Sequence, residues 1–238
     1  MTSRPQSGAV GQTLTDTPIF EAAESGVPKG AVVVVQEAFG VNDHIKDVAQ
    51  RFAAEGYRAV APHFFHRSGD PVISYDDLDS AMTHIRQLTE AGITEDLNAA
   101  YDHLHEDGFE DSRIGVVGFC MGGTVAFIEA ATRTLGAAVT FYGGGIAEGR
   151  FGAPALLELA PELKTPWLGC YGDQDKGIPI EQVEQLREAA ANAPVDTEIV
   201  RYPDAGHGFH CDARSAYHEA SAHDAWSRTL AWLDAHLA

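Results

Sequence analysis

The sequence predicts an α/β fold in which a mostly parallel central sheet carries helices on both faces. Short apolar runs rich in β-branched residues recur along the chain, and amphipathic stretches of helical period lie between them. Glycine-bearing turns follow several of those runs, where an open parallel sheet places its ligands, beyond the carboxyl ends of its strands. Function is therefore expected in loops that follow strands, chiefly Gln36 to Gly40, Gly118 to Gly123 and Gly172 to Pro179.

The expected strands are Ala31 to Val35, Arg58 to Ala61, Ile114 to Val117, Ala137 to Phe141, Trp167 to Tyr171 and Glu198 to Tyr202. Asp43 to Glu55 places Ile45, Val48, Ala49 and Phe52 on one helical face and stops at Gly56. Thr94 to Glu106 reads as a helix capped by Thr94, with Glu95 and Asp96 in its first turn. Gly122 to Thr132, Ile180 to Ala191 and Asp212 to Leu237 are further helical stretches, and Gly143 to Gly145 with Gly149 to Pro154 reads as a long surface connection. No repeat or linker divides the chain, so residues 18–238 are expected to form one domain after a flexible segment at 1–17.

Composition narrows the function classes. A chain of 238 residues suits one large core, since single cores grow to about 250 residues. Hydrophobic residues make up 45% and charged residues 21%, a globular balance that excludes disorder and collagen. Thirty-five acidic against 16 basic residues give a formal charge of -19, which repels nucleic acid and anionic membrane surfaces. No apolar run approaches the roughly 20 residues of a membrane helix, and the first residues lack the apolar stretch of a signal peptide, so a cytoplasmic location is expected. Three cysteines at long spacings, Cys120, Cys170 and Cys211, fit neither a disulfide framework nor a zinc motif.

The sharpest local signal is Gly118-Phe-Cys-Met-Gly-Gly after the strand that begins at Ile114. Cys120 sits in a G-x-C-x-G turn with the spacing of a nucleophile elbow, where a sharp strand-to-helix turn lifts one side chain above the sheet and tolerates only small neighbours. At a helix N-terminus the peptide dipoles favour thiolate over thiol. The N–H of Met121 then points at a developing oxyanion. Taken alone, a cysteine is more often one more buried small residue; the strand-glycine-helix context argues otherwise.

A thiol nucleophile needs a base, and in this architecture the chain order is nucleophile, acid, histidine. Of eleven histidines, His207 stands in a glycine-flanked loop just after the last strand. His44, His84, His103, His105, His218, His223 and His236 fall on expected helices and read as surface residues, whereas His63, His66 and His210 lie in loops near the mouth. Two aspartates follow the strand ending at Tyr171: Asp173 and Asp175 can each orient an imidazole, and each can instead brace a turn.

Five ordered motifs, at Gln36 to Asn42, Ala61 to Arg67, Gly118 to Gly123, Gly172 to Pro179 and Ala205 to Phe209, together resemble the dienelactone hydrolase family over about Pro18 to Leu237. The resemblance implies an alpha/beta-hydrolase fold and a cysteine-dependent hydrolase of small esters or lactones that needs no metal or organic cofactor. It implies a triad of Cys120, Asp175 and His207, with Asp175 matching the second aspartate of the family's G-x-x-D-x-x-[VI]-P pattern. It gives Glu37 a role in switching the cysteine to thiolate when substrate enters, and makes the N–H of Ala38 the second oxyanion donor. The implied partner is a small ester or lactone.

The founding members of that family bind a substrate carboxylate through two arginines, one of them four residues after the catalytic histidine. That place is Cys211 in this chain. Arg67 and Arg86 are the nearest candidate replacements, and Phe39, Phe65, Tyr142 and Phe209 are candidates to line an apolar pocket. Two competing readings are a ligand-binding or sensing protein that uses the same pocket without turnover, and a redox-responsive thiol protein that needs Cys170 or Cys211 near Cys120.

Overall fold

The computed structural model describes residues 17–237, so nearly all of the expected flexible segment 1–17 lies outside the described residues. In chain order the elements are β1 (Ile19–Ala22), β2 (Gly30–Val35), α1 (Asp43–Ala54), β3 (Tyr57–Pro62), α2 (Leu78–Ile85), α3 (Glu90–Glu106), β4 (Ile114–Phe119), α4 (Met121–Thr132), β5 (Ala137–Phe141), α5 (Leu156–Leu159), β6 (Trp167–Gly172), α6 (Ile180–Ala190), β7 (Thr197–Tyr202) and α7 (Glu219–His236). The strands form one seven-stranded sheet ordered β1-β3-β2-β4-β5-β6-β7, with helices on both faces. Only β1 runs antiparallel, against β3.

Every expected strand is present to within a residue or two at its ends. Their legibility follows from burial on both faces: β2 is Gly-Ala-Val-Val-Val-Val with no exposed position, as a central parallel strand requires. Strand order reverses between β2 and β4, which lie side by side with Val35 opposite Gly118. The loops leaving these two strands open into the crevice at that switch point, where open α/β sheets bind ligands.

Helix α1 begins at Asn42, whose side chain accepts the N–H of Ile45 at 3.1 Å, and turns out at Gly56 with φ +95°. His44 on this helix is buried, contrary to the surface position expected for it, because it follows the same inner face as Val48 and Phe52. Helix α3 starts four residues before the expected cap. Thr89, not Thr94, receives a first-turn N–H, from Gly92 at 3.1 Å. Helix α7 starts at Glu219 rather than Asp212, since residues 208–217 fold into successive tight turns, with Cys211 N–H on the Gly208 carbonyl and Arg214 N–H on that of Cys211. Those turns send Arg214 back toward the sheet, with its guanidinium against the Cα of Gly208.

Candidate active site

Cys120 links β4 to α4 with φ 55° and ψ -115°, a backbone conformation that costs about 1–3 kcal/mol in a residue with a Cβ. Its N–H bonds the Phe141 carbonyl at 3.0 Å, and its carbonyl accepts the Thr124 N–H at 3.2 Å. The flanking glycines are demanded by space. A Cβ on Gly118 would stand 1.9 Å from the carbonyl oxygen of Gly122, and one on Gly122 would stand 2.4 Å from that of Val35. The turn thus packs backbone on backbone and holds the sulfur at the N-terminus of a buried helix.

Across the crevice, His207 Nδ1 lies 2.6 Å from Asp175 Oδ2. Asp175 is buried, and its other oxygen accepts the Gly177 N–H at 2.8 Å, which fixes the carboxylate plane. Burial works against the charged imidazole, but the bond to Asp175 and the adjacent Cys120 sulfur outweigh it and raise the His207 pKa to about 10. Asp173, the other aspartate of the motif, is taken up by Arg201 through two bonds of 2.7 Å on the far side of the turn.

Glu37 follows β2 and is fully buried. Its Oε1 accepts the Tyr142 hydroxyl at 3.1 Å and lies 3.5 Å from the Arg214 guanidinium, while Oε2 has no protein donor. A cavity of about 490 Å³ is lined by Cys120, His207, Ala38 and Met121, with Arg86, Arg150 and Arg214 among its remaining walls. The Met121 N–H is a first-turn amide of α4 with no partner inside the helix. This arrangement can present a sulfur nucleophile, an imidazole oriented by a carboxylate, and amide donors to a carbonyl compound.

Several expected lining residues stand elsewhere. Arg67 is drawn to α3, where it meets Asp96 at 2.7 Å and Glu95 at 2.5 Å, and does not line the cavity. Phe209 is fully buried between Tyr142 and Tyr202, Tyr142 shows only its hydroxyl to Glu37, and Phe65 lies beneath His84. Of the four aromatic candidates, Phe39 alone lines the cavity. His63 and His66 pair with Asp70 and Asp96. His210 sits behind Phe119 in the core beside His44. Sequence reasoning missed Arg150 and Arg214, which stand in irregular segments whose course no periodicity reveals.

All three cysteines are free thiols; Cys170 is buried in β6, and Cys211 donates to the Tyr75 hydroxyl at 3.3 Å. Among the described residues one set with metal-ligand spacing occurs, Glu21, His103 and Asp107, at the β1 edge of the sheet, away from the cysteine turn that follows the central strand β4. Arg58 bridges Glu21 and Asp107, so this set reads as an ion-pair network. Among the described residues no helix is long and apolar enough to cross a membrane.

A mixed sheet with a single antiparallel edge strand, helices on both faces and a strongly bent strand-to-helix turn at its centre define an alpha/beta hydrolase. Within that class, the chain belongs to the dienelactone hydrolase family, whose family model matches residues 17–237. It is 39% identical over 215 residues to a Salmonella typhimurium protein named "Putative carboxymethylenebutenolidase", an alignment covering 89% of this chain and 78% of that one. An Escherichia coli protein of the same name is 39% identical over 212 residues, covering 88% and 78%. Among solved structures, a dienelactone hydrolase homologue from Klebsiella pneumoniae superposes with TM-score 0.81 at 35% identity, covering 92% of this chain and 99% of that one.

Proposed function

We propose that the protein hydrolyses small esters or lactones through a Cys120–His207–Asp175 triad and a thioester intermediate, as a carboxymethylenebutenolidase-like enzyme. The observation that carries the reading is the 2.6 Å bond from buried Asp175 to His207, which lines one cavity together with Cys120. The Cys120 thiolate attacks the carbonyl carbon, and the N–H groups of Met121 and Ala38 stabilise the oxygen as it gains charge. The C–O bond breaks, the leaving oxygen takes a proton from His207, and an acyl–sulfur bond remains. His207, oriented by Asp175, then removes a proton from water, whose oxygen displaces the sulfur and releases the acid.

Glu37 is the group that draws the thiol proton away when substrate arrives and returns it to the sulfur when the acid is released, while His207 begins the cycle as the imidazolium held by Asp175 and regains its proton from water. Its unpaired Oε2 is free to accept that proton. Arg86 and Arg150 are the groups we assign to a substrate carboxylate in place of the arginine replaced by Cys211. Both line the cavity, and among the described residues neither has an ion-pair partner, unlike Arg67. Three cysteines left as thiols suit a reducing compartment, and we place the enzyme in the cytoplasm on that ground.

The test is a panel of esters and lactones run with wild type and Cys120→Ala, with mass spectrometry of the trapped enzyme. Turnover is expected in wild type, together with an acyl adduct on the peptide that carries Cys120, and both are expected to vanish in the variant. Equal turnover by the two proteins would sink the assignment.

A further inference from the structure

Helix α2 displays an apolar row that the protein itself does not cover. Leu78, Met82 and Ile85 are spaced by four and three residues, hence on one helical face, and all three line the cavity that contains Cys120 and His207. Leu78 remains 59% exposed and Met82 43%, and they are two of only five large hydrophobic residues so exposed among the described residues. The helix is held from behind. Ala81 is buried, His84 shares a 2.7 Å bond with Ser68 Oγ, and the His84 ring stands 5.5 Å from that of Phe65. Leu78 and Met82 are therefore turned to the cavity, while Ile85 at the end of the row also packs against the core. Phe39 and Phe151 add aromatic surface to the same cavity.

We infer that α2 is a specificity element, and that the preferred substrates carry an apolar alkyl or aryl group larger than methyl on the acyl side of the scissile bond. This rests on the proposed reaction at Cys120 and goes beyond it by naming what the rest of the substrate is made of. Apolar area exposed in a cavity is an unfavourable state that a ligand relieves in proportion to the area it covers, so each methylene laid against Leu78 and Met82 strengthens binding about threefold to fourfold. A small polar acyl group leaves the row uncovered and gains none of this.

The experiment measures kcat and KM for 4-nitrophenyl acetate, butyrate, hexanoate and octanoate with wild type, Leu78→Ser/Met82→Ser and Met82→Leu. In wild type, kcat/KM is expected to rise by about tenfold from acetate to butyrate and to rise further with hexanoate, mainly through KM. In the double serine variant the hexanoate-to-acetate ratio is expected to fall by about tenfold or more, while Met82→Leu keeps the wild-type ratio. A second readout needs no chemistry: calorimetric Kd values for acetate, butyrate, hexanoate and octanoate anions are expected to fall with chain length in wild type, and to fall far less in the double variant. A chain-length profile that is flat in wild type, or equally steep in the double variant, overturns the inference while leaving Cys120 as nucleophile intact. Esters cleaved equally by wild type and Cys120→Ala overturn the nucleophile instead, and the carboxylate Kd series then decides the role of α2 alone.

Discussion

The Tyr142 hydroxyl donates to Glu37 Oε1 at 3.1 Å in a fully buried setting, and this is the one hydrogen bond between side chains that Glu37 makes. Tyr142 itself leaves β5 with φ 40°, and burial together with the neighbouring Glu37 pushes its hydroxyl far above the usual phenol range, so it stays a donor at every accessible pH. Removing that donor leaves a buried carboxylate oxygen short of a partner, at about 1–3 kcal/mol. Tyr142→Phe is therefore expected to lower Tm by about 2–12 °C by calorimetry. If Glu37 governs the thiol, the same variant shifts the pH profile of Cys120 alkylation by iodoacetamide.

The two aspartates of the loop after β6 are expected to separate cleanly. Asp175→Asn removes the group that orients His207 and stabilises its cation, and kcat is expected to fall about a thousandfold to ten-thousandfold. Asp173→Asn breaks only the pair with Arg201, so kcat should stay within about threefold of wild type, since a partly exposed ion pair contributes about 1 kcal/mol or less. Steady-state kinetics on one ester decides between them.

Gly118→Ala and Gly69→Ala make a matched pair for the turn. A Cβ at buried Gly118 meets the Gly122 carbonyl oxygen at 1.9 Å, while one at exposed Gly69 meets nothing within 4 Å. Gly69→Ala carries only the strain of its φ of +97°, about 1–3 kcal/mol, and is expected to fold with a lowered Tm. Gly118→Ala is expected in the insoluble fraction, or folded with the elbow displaced and no ester turnover.

His44 and His210 should contribute to acid stability: their rings lie 6.0 Å apart, none of their four nitrogens has a hydrogen-bond partner, and His44 Nδ1 stands 3.8 Å from Asp212 Oδ1. Burial lowers both pKa values; Asp47, Asp212 and Glu37 oppose this at His44, while Arg51 and His223 reinforce it at His210. The unfolded chain binds these protons below about pH 6.5 and the folded chain resists them, so their stability term is full above that pH and is lost on acidification, by at most about 1.4 kcal/mol per unit per histidine. His207 has the opposite sign, because its raised pKa contributes fully below about pH 6.5 and is lost as pH rises through about 10. His210→Phe, which seats another ring against Phe119 and Phe141, is expected to flatten the acid limb of a Tm-against-pH curve and leave the alkaline limb unchanged.

For a lactone bearing a carboxylate, Arg86→Ala and Arg150→Ala are each expected to raise KM about tenfold to a hundredfold, the loss of one charge-assisted bond. For a neutral ester of similar size the change should be under about threefold. Equal effects on both substrates would remove the arginines from carboxylate recognition.

The strands were legible because valine-rich runs buried on both faces have one reading in a parallel sheet. β1 was not, since a four-residue edge strand with Glu21 exposed carries no such run. A helix was expected around His84, but the apolar row of α2 was not: it faces a cavity, so Leu78 and Met82 lie among Asp77, Asp79 and Thr83 without a core to explain them. The loops that hold Cys120, the pair Asp173 and Asp175, and His207 were readable because glycine and aspartate mark strand ends, while the choice of Asp175 over Asp173 came from the family resemblance alone. Arg67 and Arg150 could not be ranked that way. Which of them meets a cavity and which meets Asp96 depends on how distant segments cross, and nothing local in either loop encodes it.

The pairing of Val35 with Gly118 has a consequence for descent. The segments bearing Glu37 and Cys120 both leave from that one rung, two residues beyond it on adjacent strands, so mutation can hardly move one against the other. Helix α2 and the connection holding Arg150 belong to no rung at all. On the proposed reaction, the groups that react are thereby fixed together while the surfaces that choose a substrate are free to vary, so the same chemistry can be retuned to new compounds by changes confined to the periphery.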